Sequence, residues 1–176
     1  MVKNFWSENI GLVCARSLGI SGNIEMHNKL FTQRFKFSNW PNREIPSVAA
    51  GVYTVWKNSD LIYCGMSGRE IDIKAKASLK KYGMITRLAS HASGRLSGDQ
   101  FCVYVANRFV IPSITAEELP LFESGKLTLD ARTKTFIHEH LEYAYALVEK
   151  SADAYNLERA ARRGELFGMK PHLNPL

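Results

Sequence analysis

The chain has 176 residues and a mass of 19.9 kDa, which suits one compact domain with a short extension and excludes two full domains. Hydrophobic residues make up 45% and charged residues 23%, as in ordinary folded proteins, so wholesale disorder is excluded. No run of about 18 apolar residues occurs, which excludes a membrane-spanning helix. Residues 1–10 lack the apolar core of a secretory signal, and we therefore expect a cytoplasmic protein.

The positive charge is concentrated in one segment. Lysine and arginine total 23 against 17 acidic residues, a formal net charge of +6, and the isoelectric point is about 9.3. Residues 69–95 hold seven basic and two acidic residues, so nearly the whole surplus lies there. Such a segment is typical of proteins that bind a polyanion, because basic side chains displace counterions from phosphates. A solvated lysine-rich surface is the alternative.

The three cysteines are few and widely spaced: Cys14, Cys64 and Cys102. Their number and spacing suit neither a disulfide framework nor a zinc site. We expect reduced, mostly buried thiols.

The N-terminal third gives weaker signals than the rest. Residues 34–40 alternate polar and aromatic side chains, which predicts a strand that ends at Pro41. Prolines at 41 and 46 then favour a boundary near Ser47. We therefore predict an accessory arm over residues 1–48 and a main domain over residues 49–176.

A β-hairpin is predicted next. Two runs rich in β-branched and aromatic residues, at 51–56 and 61–65, flank a polar turn at residues 58–60. A three-residue loop would place Tyr53 opposite Gly65 and project Tyr53 and Tyr63 from one face. A two-residue loop would place the two rings on opposite faces. We expect the three-residue loop.

The middle of the chain is read as a helix, a strand and a long connection. Residues 84–91 predict a short helix on which Arg87 and His91 share a face at i, i+4 spacing. The apolar run 101–105 predicts a buried strand. Residues 111–127 contain two prolines and no clear period, so they form a connection long enough to hold a small substructure.

The C-terminal third predicts a helix, a strand and a second helix. Asp130 is the expected N-cap of a helix that runs to about Leu141. Residues 142–149 would either extend that helix or form a strand, and their alternating aromatic residues favour the strand. A helix over about residues 153–163 should end at Gly164. Together these elements predict an α+β fold, with a small, mostly antiparallel central sheet seeded by the hairpin and flanked by helices.

The hairpin also carries a recognisable pattern. Gly51-Val52-Tyr53 on its first strand and Tyr63-Cys64-Gly65 on its second resemble the motif of the GIY-YIG nuclease superfamily. Members of that family follow the hairpin with a helix bearing an Arg and often a His one turn later, then a helix with a single Glu, and an Asn near the end of the domain. Matching residues occur here in the same order: Arg87, His91, Glu158 and Asn174. Cys64 replaces the commoner aliphatic residue, and we expect its side chain to point away from the tyrosines.

The resemblance covers about residues 50–176 and is greatest to small stand-alone bacterial members, which include restriction endonucleases. It implies hydrolysis of DNA phosphodiester bonds by a type II restriction enzyme that uses one Mg²⁺ or Mn²⁺ ion per site. Two alternatives stay open: a structure-specific nuclease of repair or of a mobile element, and a DNA-binding module that no longer cleaves.

The chemistry of the matched residues fits phosphodiester hydrolysis. Tyr53 would orient the attacking water, or act as general base if its pKa falls from about 10. His91, with an ordinary pKa near 6.5, is the alternative base. Arg87 offers a rigid fork of donors to the non-bridging phosphate oxygens.

The resemblance assigns the remaining site residues to the metal and the phosphate. Glu158 would be the metal ligand, with waters and phosphate completing the coordination. Tyr63 would contact the phosphate or a metal-bound water, and Asn174 would position Glu158 or the phosphate.

Double-stranded DNA is the expected partner. Six basic residues are predicted to contact its backbone: Arg69, Lys74, Lys76, Lys80, Lys81 and Arg95. One site with one metal cuts one strand, so a double-strand break would need a homodimer or two successive events. A companion DNA methyltransferase is an open possibility under the restriction-enzyme interpretation.

Overall fold

A computed structural model describes residues 30–68, 82–148 and 151–174. These residues confirm the predicted α+β class, because they form a five-stranded sheet flanked by helices. The strands are β1 (Phe35–Lys36), β2 (Val48–Lys57), β3 (Asp60–Ser67), β4 (Tyr82–Gly83) and β5 (Glu142–Val148). The α-helices are α1 (Met84–Ser93), α2 (Gln100–Val105), α3 (Leu119–Glu123), α4 (Leu129–His140) and α5 (Ser151–Arg163).

Strand β2 organises the sheet. The order is β1-β5-β2-β3 with antiparallel neighbours, and the short β4 pairs in parallel with the start of β2. Strand β2 is therefore central and β3 lies at one edge. Residues 50–56 of β2 are buried throughout, as expected for a strand covered on both faces.

The two faces of the sheet bury different kinds of side chain. We call one the tyrosine face, since Tyr53, Tyr63, Tyr143 and Tyr145 pack there with helices α1, α2 and α4. The other is the alanine face, where small residues of the sheet pack against small residues of α5: Val52, Cys64, Ala144, Ala146, Ala154 and Ala161. Cys64 thus points away from the tyrosines, as predicted.

The hairpin reaches the predicted register by a different route. Lys57 pairs with Asp60, so the turn has two residues, and the predicted three-residue loop is wrong. The register then shifts by one residue, because Trp56 pairs with Leu61 but Val55 pairs with Tyr63. Ile62 is therefore the extra residue of a β-bulge. Beyond the bulge the pairing is the one expected for a three-residue loop: Tyr53 lies opposite Gly65, and both tyrosines stay on the tyrosine face.

One predicted strand is shortened and another is wrong. In residues 34–40 only Phe35–Lys36 pairs as a strand, and a 3₁₀ turn follows over Phe37–Asn39. Phe37 turns inward to complete burial, and its amide donates to the carbonyl of Leu141. The run 101–105 lies in helix α2, where Phe101, Cys102 and Val105 are buried at helical spacing.

Other predicted elements are confirmed. Residues 84–91 lie in α1, residues 142–148 form β5, and α5 ends at Arg163, one residue before Gly164. Helix α4 is confirmed, but its N-cap is Thr128 rather than Asp130, since the Thr128 side chain accepts from the amide of Ala131. The connection 111–127 holds the short helix α3.

Part of the predicted arm packs into the sheet. Strand β1 pairs with β5, Phe31 packs on the alanine face, and Phe37 and Ile45 pack on the tyrosine face. Residues 1–29 lie outside the described residues, and the boundary at residue 48 stays a prediction.

Two of the three cysteines lie in the described residues. Cys64 and Cys102 are free and buried, while Cys14 lies outside the described residues. Among the helices of residues 30–68, 82–148 and 151–174, none is both long and apolar enough to span a bilayer.

Candidate active site

Two glycines of the hairpin motif are required by close approaches. A Cβ on Gly51 would lie 2.1 Å from the carbonyl oxygen of Ala146 on the neighbouring strand. A Cβ on Gly65 would lie 2.4 Å from the hydroxyl oxygen of Tyr53. Both distances are far below van der Waals contact, so neither position has room for a side chain. Gly65 therefore makes the space in which the Tyr53 hydroxyl lies.

The Tyr53 hydroxyl begins a chain of buried hydrogen bonds that we call the relay: Tyr53, His91 and Asp99. Its oxygen lies 2.8 Å from Nε2 of His91. The other ring nitrogen of His91, Nδ1, lies 2.7 Å from Oδ2 of Asp99. The exposed fractions of the three residues are 2%, 1% and 3% respectively. The relay thus links strand β2 to helix α1 and to the start of α2.

Asp99 is a site residue that the sequence analysis missed. Its Oδ2 also accepts from the Ser90 hydroxyl at 2.6 Å, and its Oδ1 caps α2 by accepting from the amide of Phe101 at 3.0 Å. Asp99 lies two residues before the apolar run 101–105, and an Asp at the start of such a run is an N-cap signal. Residues 101–105 were interpreted as a strand, and that interpretation hid the signal.

The protonation of the relay follows from burial. Complete burial lowers the pKa of His91 below its ordinary value and outweighs the hydrogen bond and charge of Asp99, which raise it. Burial raises the pKa of Asp99, but hydrogen bonds from His91 and Ser90 bring it below its ordinary value. Near pH 7 the pair is therefore a neutral imidazole beside a carboxylate.

This protonation assigns each donor. An ionised Asp99 can only accept, so Nδ1 of His91 donates to it. Nε2 of the neutral ring then accepts, and the Tyr53 hydroxyl donates to Nε2. Burial, with a contribution from Tyr63, raises the pKa of Tyr53 well above its ordinary value, although the charge of Arg87 lowers it. Tyr53 is therefore a neutral phenol, and a phenolate base at this position is disfavoured.

Tyr63 and Arg87 are nearer to solvent than the relay. The Tyr63 ring is partly buried and lies 6.2 Å from the Tyr53 ring and 5.1 Å from the Phe101 ring, measured between centroids. Burial raises the pKa of Tyr63, with Asp99 acting in the same direction and Arg87 against it. Arg87 is exposed on α1, and its charge acts on both tyrosines and on His91. The predicted Tyr53, Tyr63, Arg87 and His91 therefore come together on the tyrosine face.

Glu158 approaches from the alanine face. It lies on α5, its side chain is 14% exposed, and its Oε1 is 3.7 Å from Nη1 of Arg162. Its charge raises the pKa values of Cys64 and Tyr63, although burial is the larger cause for both thiol and phenol. Glu158 and the Tyr63 phenol therefore lie on opposite faces of the sheet.

A single carboxylate limits the kind of metal site. Among the described residues, no group of three or more His, Cys, Asp or Glu side chains is gathered to hold an ion. Mg²⁺ is commonly bound by one or two carboxylates, with waters and substrate phosphate as the other ligands. The hard oxygen ligands of Glu158 fit such an ion, and the nearby Arg162 guanidinium competes for the same carboxylate charge.

Asn174 holds strand β3. Its Oδ1 accepts from the Cys64 amide at 2.7 Å, and its Nδ2 donates to the Cys64 carbonyl at 2.8 Å. The preceding Leu173 amide donates to the carbonyl of the bulged Ile62 at 2.8 Å. The side-chain amide of Asn174 is therefore bonded to the backbone of Cys64, between Tyr63 and Gly65.

Most of the predicted DNA-contacting residues cannot be placed. Five lie outside the described residues: Arg69, Lys74, Lys76, Lys80 and Lys81. The sixth, Arg95, is exposed in the loop that follows α1. The backbone-contact prediction therefore stays a prediction.

Comparisons with known proteins assign no family. The chain matches no protein-family profile, no curated protein and no solved structure. The interpretation of the site accordingly depends on its own residues and their geometry.

The contact between Gly65 and Tyr53 predicts a non-additive pair of substitutions. Gly65→Ala should lower the free energy of unfolding by about 1–3 kcal/mol, the usual cost of overpacking. In a Tyr53→Phe background the cost should be smaller, because the closest atom, the hydroxyl oxygen, is gone. Urea unfolding of the four proteins of the double-mutant cycle measures both costs. Additive costs would contradict the close approach.

Proposed function

We propose that this protein is a divalent-metal-dependent endonuclease with a GIY-YIG-type site that hydrolyses DNA phosphodiester bonds. The observation that carries the proposal is the relay from Tyr53 to Asp99, a buried proton acceptor next to a cation and a second phenol. The charge of Arg87 acts on both tyrosines, and the charge of Glu158 acts on Tyr63 from the other face of the sheet. Hydrolysis of a phosphodiester requires these functions: a proton acceptor, compensation of phosphate charge and a metal ligand.

The relay supplies the proton acceptor. A water molecule hydrogen-bonded to Tyr53 gives its proton to the phenol oxygen as the phenol proton moves to Nε2 of His91. The hydroxide attacks phosphorus, the bond from phosphorus to the leaving oxygen breaks, and that oxygen takes a proton from a solvent water. Asp99 stabilises the imidazolium that has formed. The lowered pKa of His91 keeps its ring neutral and able to accept this proton near pH 7. His91 is thus the base, and Tyr53 connects it to the water.

The other side chains act on the phosphate. Arg87 offers its guanidinium fork to two non-bridging oxygens, and the neutral hydroxyl of Tyr63 donates to a phosphate oxygen. A divalent ion held by Glu158 would supply Lewis-acid stabilisation of the developing charge. Asn174 keeps Tyr63 in place through the backbone of Cys64.

The proposed substrate is double-stranded DNA, cut at a specific sequence as by a type II restriction endonuclease. A homodimer would place one site on each strand. Cleavage of branched DNA with intact duplex spared would instead identify a structure-specific nuclease, and binding with no cleavage in Mg²⁺ or Mn²⁺ would identify a binding module.

Replacement of the metal ligand should separate cleavage from binding. Glu158→Gln should reduce cleavage of plasmid DNA in Mg²⁺ by about 10²-fold or more, since Lewis-acid stabilisation is worth several kcal/mol. DNA affinity should be retained, because the substitution removes one negative charge and no basic side chain. The control is Glu165→Gln, which changes an exposed glutamate paired with Arg163. Full cleavage by the Glu158 variant would overturn the metal assignment.

Replacement of Asp99 should test the relay. Asp99→Asn keeps an oxygen that can cap α2, but its amide group donates to Nδ1 and moves the imidazole proton to Nε2. His91 can then no longer accept from Tyr53, and kcat should fall by about 10²–10⁴-fold, the range of acid–base catalysis, with DNA affinity unchanged.

The pH profile distinguishes catalysis from structure. Asp99 raises the pKa of His91, so in Asp99→Asn the acid limb of the residual rate should shift to lower pH. The control is Asp130→Asn, a carboxylate that accepts from the Leu96 amide and lies outside the relay. A variant that loses only stability, with kcat and pH profile unchanged, would show that the relay is purely structural.

A further inference from the structure

An open cleft of about 250 Å³ lies beside the C-terminal tail. Its lining residues are mostly polar and include an arginine, an amide and two polar rings: Tyr104, Asn107, Arg108, His172 and Leu173. No carboxylate is among them. None of these residues belongs to the relay or to the proposed metal site.

One wall of the cleft has an unusual backbone. After α2 the chain continues as a π-helical turn over Ala106–Val110, in which Asn107 and Arg108 are exposed. Ala106 and Val110 of the same turn are buried, which fixes it to the core. Turns of this kind are rare and frequent at functional sites. Here the wider turn presents Asn107 and Arg108 to the cleft.

The other wall is fixed by strand β3. The amide of His172 donates to the carbonyl of Leu61 at 3.3 Å, and the amide of Leu173 donates to that of Ile62 at 2.8 Å. The tail therefore follows the outer edge of β3 at the bulge. Both walls are thus held by hydrogen bonds or buried residues.

The cleft adjoins the candidate active site. Leu173 is bonded to Ile62, the residue directly before Tyr63. The Phe101 ring lies 5.1 Å from the Tyr63 ring, and Tyr104 follows Phe101 by three residues of helix, a rise of about 4.5 Å. The cleft therefore begins within about one helical turn of the residue that packs on Tyr63.

We propose that this cleft binds a nucleotide of the cleaved strand, close to the scissile phosphate. The Arg108 guanidinium takes its phosphate in a charge-assisted fork. The Tyr104 and His172 rings offer faces on which a base or sugar can lie, as in strand-binding grooves. The inference rests on the proposed function, since it takes the scissile phosphate to lie at Tyr63.

The affinity for DNA tests the cleft without cleavage. Binding of the full chain to a fluorescent 30-base-pair duplex is titrated in EDTA at several salt concentrations. Arg108→Ala should weaken binding about tenfold and reduce the salt slope by about one, as expected for one lost phosphate contact. Arg108→Lys should retain part of the affinity, because it keeps the charge but loses the fork.

The matched control is Arg163→Ala, an exposed arginine at the end of α5 on the alanine face. It should leave the affinity within twofold of the unchanged protein. Thermal unfolding confirms that each variant is folded. Equal affinities of the Arg108 and Arg163 variants, or absence of DNA binding by the unchanged protein, would overturn the cleft assignment.

Cleavage kinetics then locate the contact. Arg108→Ala should raise KM for DNA while kcat at saturating DNA stays within twofold. Substrates with one neutral methylphosphonate linkage are compared at each position near the mapped cut. The unchanged protein should lose affinity at one linkage close to the cut, and Arg108→Ala should be insensitive there. Undiminished sensitivity of Arg108→Ala at every linkage would overturn the proposal.

Failure of the proposed function gives a different result. An unchanged protein that binds DNA but cleaves none in Mg²⁺ or Mn²⁺ would contradict the nuclease proposal. The affinities of the Arg108 and Arg163 variants in EDTA would still decide whether the cleft holds a phosphate.

Discussion

The hydrogen bond between the Tyr53 hydroxyl and Nε2 of His91 is the constraint on which the candidate site depends. Both groups are almost fully buried, and a buried polar group without a partner costs about 1–3 kcal/mol. The bond therefore requires helix α1 to lie at the position along strand β2 that brings His91 to Tyr53. It also requires that Gly65 has no side chain beside the hydroxyl. Asp99 extends the requirement to α2, because its carboxylate holds the other ring nitrogen while capping that helix. One short chain of hydrogen bonds thus orients three elements of the tyrosine face.

The β-bulge at Ile62 brings the second phenol to the same place. A two-residue turn in a regular ladder would send Tyr63 to the alanine face, and the extra residue reverses this. In the tail, the Leu173 amide donates to the carbonyl of Ile62, and the side chain of Asn174 bonds to the backbone of Cys64. The tail lies along the outer edge of β3 and lines the cleft, and the charge of Glu158 acts on Tyr63 from the alanine face. The edge strand is therefore where the proposed contacts to DNA converge.

The hairpin and the pairing of Tyr53 with Gly65 were predictable because they follow from residue types at fixed spacing, but the expected pairing of Lys57 with Leu61 was wrong. The bulge was not, since nothing in the side chains of residues 58–62 distinguishes a three-residue loop from a two-residue turn with one extra residue. Residues 101–105 are apolar without a clear period, so strand and helix fit equally until the capping role of Asp99 is recognised. Phe37 ended a predicted strand because its burial against the core outweighed the alternating pattern. The cleft could not be predicted either, as it depends on a π-helical turn and on the tail pairing with β3.

The tautomer of His91 tests the central claim most directly. Ring ¹⁵N chemical shifts can be measured across a pH titration, with the His91→Gln variant used to assign the signals among the five histidines of the chain. The account predicts a neutral ring at pH 7 with its proton on Nδ1, and protonation only below the ordinary pKa of about 6.5. A proton on Nε2, or a ring that is already cationic at pH 7, would contradict it, because His91 could then not accept a proton from Tyr53.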